Sequence, residues 1–173
     1  MMRRHLKTFN TDVKYGRSDL VECRLEVVPG ACPVKQKVRS MNPKQEAALK
    51  QQVQEWLDNG VITPSRSAWA SPTVLVLKKS GDYRVCIDYR RLNTSLVGDS
   101  YPLPAIQQLL ERAGGHQYYS ALDSSNAYMC IPMEPGSQHL TAFVCPEGLF
   151  EFLYMPFGLK VAGSTYSRFI AQV

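Results

Sequence analysis

The sequence has no apolar run approaching the roughly 18 residues needed to cross a bilayer, which excludes a membrane-spanning helix. Its first seven residues, Met1 to Lys7, carry charge with no apolar core behind it, so an intracellular chain is expected. The five cysteines (Cys23, Cys32, Cys86, Cys130 and Cys145) are scattered and never spaced C-x-x-C. That excludes a zinc knuckle and gives no disulfide framework; reduced, mostly buried thiols are expected. No G-x-x-x-x-G-K-[ST] loop occurs, so a P-loop nucleotide site is absent. His5, His116 and His139 have no Ser, Cys or acidic partner at a recognisable spacing, and no nucleophile–base pair can be read from them. Repeats and low-complexity tracts are missing too.

What is present is an ordinary domain's worth of apolar residues, 45% of 173, enough to exclude wholesale disorder. The net charge of +5 is unevenly spread. Residues 1–40 hold nine Lys or Arg against four Asp or Glu, and residues 64–91 hold six against two. Residues 92–173 reverse the sign, with three basic and six acidic residues. A basic segment followed by an acidic one suits a polyanion meeting a cation-binding centre, although such runs are more often only solvated faces.

In residues 1–40 only Leu20–Val28 alternates like a strand, and the segment reads as an extended, loosely attached arm. Asn42 and Pro43 open a helix with the stripe Ala48, Val53, Trp56 and Leu57, and Asn59-Gly60 closes it. Thr73–Leu77 and Tyr83–Ile87 flank Ser80-Gly81-Asp82 as a β-hairpin. A helix is expected from about Ala105 to Ala113, then a short buried strand, Tyr118–Leu122, delivering Asp123 at its end. Thr141–Cys145 and Phe150–Tyr154 bracket Pro146-Glu147-Gly148 as a second hairpin, and a helix begins at Gly163. Hairpins mixed with helices predict an α+β fold.

Two features could carry chemistry. A carboxylate after an apolar run, as at Asp123, is costly unless capped, paired or metal-bound, yet an Asp after a strand is most often a turn former. Lys78, Lys79 and Arg84 flank a hairpin tip, where they could grip phosphate as point charges and fork, or simply keep a turn solvated. Singly these signals are weak; in order they are specific. Trp69-Ala70-Ser71-Pro72, Lys78-Lys79, Tyr83 through Asn93 (YRVCIDYRRLN) and Tyr101-Pro102-Leu103-Pro104 stand in one series. Tyr119-Ser120-Ala121-Leu122-Asp123 through Tyr128, Thr141-Ala142-Phe143, Phe150-Glu151-Phe152 and Met155-Pro156-Phe157-Gly158-Leu159 continue it. From about Tyr15 to the last residue this series resembles the reverse transcriptases of gypsy-type (metavirid) long-terminal-repeat retrotransposon polyproteins.

The resemblance implies a right-hand polymerase, RNA-directed and templated: fingers and the first part of the palm. Residues 1–40 would be an arm or linker, 41–100 fingers, 101–130 palm, 131–161 fingers again, and 162–173 the start of a palm helix. It implies that Asp123 and the Ser124 carbonyl hold Mg²⁺ or Mn²⁺, two ions in the full-length enzyme, for transfer to a primer 3′-hydroxyl. Lys79 and Arg84 would meet the incoming deoxynucleoside triphosphate, Tyr128 would exclude a ribose 2′-hydroxyl, and Phe157 and Gly158 would line the sugar. Lys78 and Arg90 would touch nucleic acid, an RNA or DNA template with its primer, and no membrane partner is implied. The family's x-Asn-Ala-Pro after Leu159 is replaced by Lys160-Val161-Ala162-Gly163, and its aromatic-x-Asp-Asp motif is not among these residues. Thumb, ribonuclease H and integrase segments are likewise not among them. Since one carboxylate cannot hold two divalent cations, these residues alone are expected to be inactive. The competing expectation is a domesticated remnant that binds nucleic acid or another protein. Either form would sit in cytoplasmic virus-like particles or the nucleus.

Overall fold

The computed structural model describes residues 15–173 apart from 103, 104, 122 and 125. The first helix, α1 (Pro43–Asp58), starts on a reciprocal cap: the Asn42 side chain accepts from the Gln45 amide (2.9 Å) and the Gln45 side chain accepts from the Asn42 amide (3.0 Å). Its buried stripe is Leu49, Val53 and Trp56; Val53 and Trp56 lie inward as expected, whereas Ala48 and Leu57 are only half-buried and flank it. Five strands follow: β1 (Ile62–Pro64), β2 (Ser71–Leu77), β3 (Tyr83–Ile87), β4 (Phe143–Cys145) and β5 (Gly148–Phe152), in the order β1-β5-β4-β2-β3. All neighbours are antiparallel except β2 and β4, where Ser71 faces Phe143 and Pro72 faces Val144 in parallel. The mixed α+β architecture expected from the sequence is present.

Between β3 and β4 the chain forms α2 (Arg90–Ser95), α3 (Ile106–Ala113), and 3₁₀ turns at Ala127–Cys130 and Pro135–Thr141; α4 (Ala162–Ile170) comes last. One core joins α1 to the sheet. Phe143 is fully buried there, its ring 5.2 Å from Phe152, 5.9 Å from Phe150 and edge-on to Trp56 at 6.0 Å. A second core gathers Tyr89, Leu92, Leu96, Ile131, Met133 and Met155 around α2.

The arm departs from expectation: over residues 15–40 it is strapped down. Cys23 and Leu25 are buried in the second core while Glu22, Arg24 and Glu26 face solvent, so the alternation does bury one side. Its backbone is held at several places along its length. Among these ties, Cys23 donates to Pro132 (2.8 Å), Val97 to Glu26 (2.8 Å), and Gln36 to Ala70 (2.9 Å). These partners lie on irregular backbone, so the segment makes isolated bridges and no continuous ladder. Burial pushes the Cys23 and Cys145 thiols up to about 12, Cys86 and Cys130 are half-buried, and Cys32 is exposed.

The expected strand at 118–122 is not formed. Residues 118–121 are irregular, Leu122 lies outside the described residues, and Tyr118 is 90% exposed. A strand exists only by pairing, and no described strand pairs with this stretch. Nor does α3 bury a side chain: Ile106 and Leu110 face solvent.

Candidate nucleotide and nucleic-acid site

The β2–β3 hairpin stands clear of the sheet because β2 pairs with β4 only at Ser71 and Pro72. Beyond that point it pairs with β3 alone, Val76 facing Arg84 and Leu77 facing Tyr83. The tip is a tight turn in which the Lys78 amide donates to Asp82 (2.7 Å), the Gly81 amide donates to Lys78 (3.0 Å) and Gly81 takes a φ of +92°. The Ser80 hydroxyl donates to the Asp82 carboxylate (2.9 Å). Lys78, Lys79 and Arg84 are exposed, and none of them forms an ion pair with a described residue. Three cations on a projecting hairpin, free of carboxylate partners, are poised for an external anion.

A second constellation lies where α2 meets the turn after β5. The Tyr128 ring, on the 3₁₀ turn Ala127–Cys130, stacks obliquely on Phe157 at 4.9 Å and meets the edge of Tyr166 at 5.3 Å. Tyr128 is half-buried against the second core, whereas Phe157 is 52% exposed and presents a free face. Gly158 has φ +92°, a conformation unfavourable to side chains, and an added Cβ would lie 3.6 Å from the Ile87 carbonyl oxygen and the Tyr89 ring. The structure thus joins Tyr128, Phe157 and Gly158 into one shelf. Two members went unassigned in the sequence. Tyr166 is one, an aromatic on α4 that no sequence block above included. The Asn93 amide bonds both sides of Gly158-Leu159-Lys160, and its only sequence signal was its place in the YRVCIDYRRLN block.

Arg90, expected to be a nucleic-acid contact, begins α2 and turns its guanidinium onto Asp88, with Nε 2.8 Å from Oδ1 and Nη2 2.7 Å from Oδ2. Arg39, from the arm, holds the same carboxylate, whose side chain is only 9% exposed. The Arg90 hydrogen bonds hold Asp88 well below the usual carboxylate range, against the opposing effect of burial, with Arg39 adding to them. A depressed carboxyl contributes stability that is complete above its unfolded pKa, about 3.9, and fades as the pH falls toward the folded value. Asp88→Asn is therefore expected to lower the unfolding free energy at pH 6, with the gap to wild type narrowing by pH 3. Urea melts at the two pH values check this, and an unchanged gap would exclude the ion pair as the source.

Asp123 and Ser124 are exposed on irregular backbone. The expected presentation of Asp123 by a strand end does not occur, because the strand that would carry it is unpaired. Among the described residues no three His, Cys, Asp or Glu side chains converge on a point that could hold a metal ion. The donors present do not fit a two-cation centre, since Mg²⁺ surrenders its waters only to several converging oxygens.

Residues 76–173 match the family described as reverse transcriptase (RNA-dependent DNA polymerase). The transposon Tf2-7 and Tf2-3 polyproteins of Schizosaccharomyces pombe are each 37% identical to the chain over 131 residues, 76% of its length. That stretch is 10% of either polyprotein, so the chain spans about a tenth of these curated relatives. Among solved structures, a foamy viral protease-reverse transcriptase in complex with double-stranded DNA superimposes with a TM-score of 0.81 at 21% identity, covering 91% of this chain and 28% of that one. A foamy viral protease-reverse transcriptase in complex with an RNA/DNA hybrid gives 0.76 at 18% identity, covering 91% and 21%.

Proposed function

Because the chain belongs to the reverse transcriptase family, we propose that it supplies the nucleotide-handling fingers and first palm segment of a templated DNA polymerase. The observation that carries this is the aromatic shelf: Tyr128 against Phe157, with Gly158 turning beneath them. A planar ring held from behind by Tyr166 and the second core offers a rigid wall to a sugar, and a wall is what steric exclusion of a 2′-hydroxyl requires. Lys79 and Arg84 would neutralise the triphosphate, and Lys78 and Arg90 the template backbone. The division into fingers at 41–100 and 131–161 and palm at 101–130 and 162–173 follows the same reading. So does an intracellular place beside RNA or DNA.

In this reading Asp123 and the Ser124 carbonyl are part of a metal cage and not a whole one. No step of nucleotidyl transfer can be written on the described residues, since one exposed carboxylate neither holds two divalent ions nor activates a hydroxyl. The chain is therefore expected to bind primer–template without extending it, and binding could outlive catalysis in a domesticated remnant. Primer extension on the purified 173 residues, with Mg²⁺ or Mn²⁺ and all four deoxynucleotides, tests both halves. Expected is retention of labelled duplex with no lengthened primer. Templated synthesis would refute the partial cage, and failure to retain either RNA or DNA would refute the polymerase reading.

A further inference from the structure

The turn after β5 carries Phe157 and is tied from outside as well. Its Gly158 carbonyl and its Lys160 amide both point at one side chain from a different element. The Asn93 Nδ2 donates to the Gly158 oxygen (2.8 Å), and the Asn93 Oδ1 accepts from the Lys160 amide (2.8 Å). A primary amide is the small group that offers a donor and an acceptor from one plane, so a single residue satisfies both sides of the turn. Lys160 adds a third tie, its Nζ donating to the Leu96 carbonyl (3.2 Å) at the end of α2.

The other end of the clamp is anchored. The Asn93 backbone N–H donates to the Tyr89 carbonyl (2.8 Å), and Tyr89, Leu92 and Leu96 are buried in the second core. The fully buried Tyr89 hydroxyl donates in turn to the Thr141 carbonyl (2.7 Å). Asn93 therefore stands on a fixed base and reaches across to a turn whose Gly158 sits at φ +92°. Phe157 precedes that glycine directly, so the angle of its ring on Tyr128 depends on the turn staying where Asn93 holds it.

We infer that Asn93 is a positioning residue of the nucleotide site, setting the Phe157 ring against Tyr128 by clamping Gly158 and Lys160 from α2. The inference rests on the reading of Tyr128 and Phe157 as the sugar wall, but the clamp can be tested apart from it. Asn93→Ala removes both bonds. Asn93→Asp keeps the acceptor for Lys160 while setting a carboxylate against the Gly158 carbonyl. Thr94→Ala, which deletes only the hydroxyl bond to the Arg91 carbonyl within α2, serves as control.

The experiment is amide hydrogen exchange on the full chain, joined to ligand-observed NMR titration with 2′-deoxyadenosine and adenosine triphosphates on the chain bound to primer–template. Expected in Asn93→Ala is exchange of the Lys160 amide faster by about tenfold or more, with the amides of Val74 and Cys86, which face each other in the hairpin, unchanged. Asn93→Asp should retain the protection of Lys160, and Thr94→Ala should behave as wild type. The deoxy-over-ribo preference should fall toward one in Asn93→Ala while affinity for the duplex is kept. An unmoved Lys160 amide, or a preference retained after that amide has opened, overturns the inference. A wild-type chain without sugar preference counts against Tyr128 as the wall and leaves the clamp to be decided by exchange. Should Asn93→Ala lose its fold, Asn93→Asp decides alone: protection lost at Lys160 overturns the clamp, and protection kept with a weakened preference upholds it.

Discussion

Phe143→Ala is expected to lower the unfolding free energy by about 3–5 kcal/mol, a large share of the roughly 5–15 kcal/mol that holds a domain together. The ring is fully buried and packs on Trp56, Phe150 and Phe152, all within about 6 Å, so its removal leaves a void among rigid aromatic rings. The void also lies where β4 meets β2 through Ser71 and Phe143, at the start of the parallel pairing that fixes the base of the basic hairpin. Urea unfolding followed by tryptophan fluorescence measures the change, with Trp56 itself in the cluster. Val76→Ala, on the exposed part of the same hairpin, should change stability by less than about 0.5 kcal/mol. A loss below 1 kcal/mol for Phe143→Ala would mean that the α1–sheet core is not the chief source of stability.

Elements whose cause is local were legible in the sequence. Asn42-Pro43 starts α1, Asn59-Gly60 ends it, and Gly81 and Gly148 supply the positive φ angles of the two hairpins. What local pattern could not show is where a segment finds its partner. Helix α2 spans six residues, too few for a period to declare itself, and the Tyr89 that precedes it supplies no side-chain cap. The arm alternates like a strand, but its ties at Pro132, Val97 and Ala70 lie far along the chain, so the pattern was visible without the attachment. Tyr118–Leu122 has strand-like composition and no described strand to pair with, and propensity yields to that lack. The site divides the same way. The free cations of the hairpin and the aromatic identities at 128 and 157 could be named in advance from the family's blocks. Asn93 could be quoted but not given a role, because its two partners are backbone groups 65 and 67 residues away.

Replacing Lys78, Lys79 and Arg84 together with alanine is expected to weaken binding of primer–template by about two to three orders of magnitude at low salt, the scale set by losing three phosphate contacts. The slope of log affinity against log salt should fall by about 2 to 3, since each neutralised phosphate contributes roughly 0.9 to it. All three side chains are exposed on a hairpin that leaves the sheet after Pro72, and none has a carboxylate among the described residues to release before meeting a phosphate. Arg90 makes the contrast. Its guanidinium is already committed to both oxygens of Asp88, so a phosphate must compete with an intact fork. Arg90→Ala is therefore expected to move the salt slope by less than one hairpin cation does, while lowering stability at neutral pH through the Asp88 carboxylate, which keeps Arg39 and the residue-90 backbone amide as partners but loses the guanidinium fork. Filter binding across a salt series separates the two sites. Equal slope changes from Arg90 and from each hairpin residue would show that the ion pair opens freely and that charge count, not the projecting geometry of the hairpin, governs contact with nucleic acid.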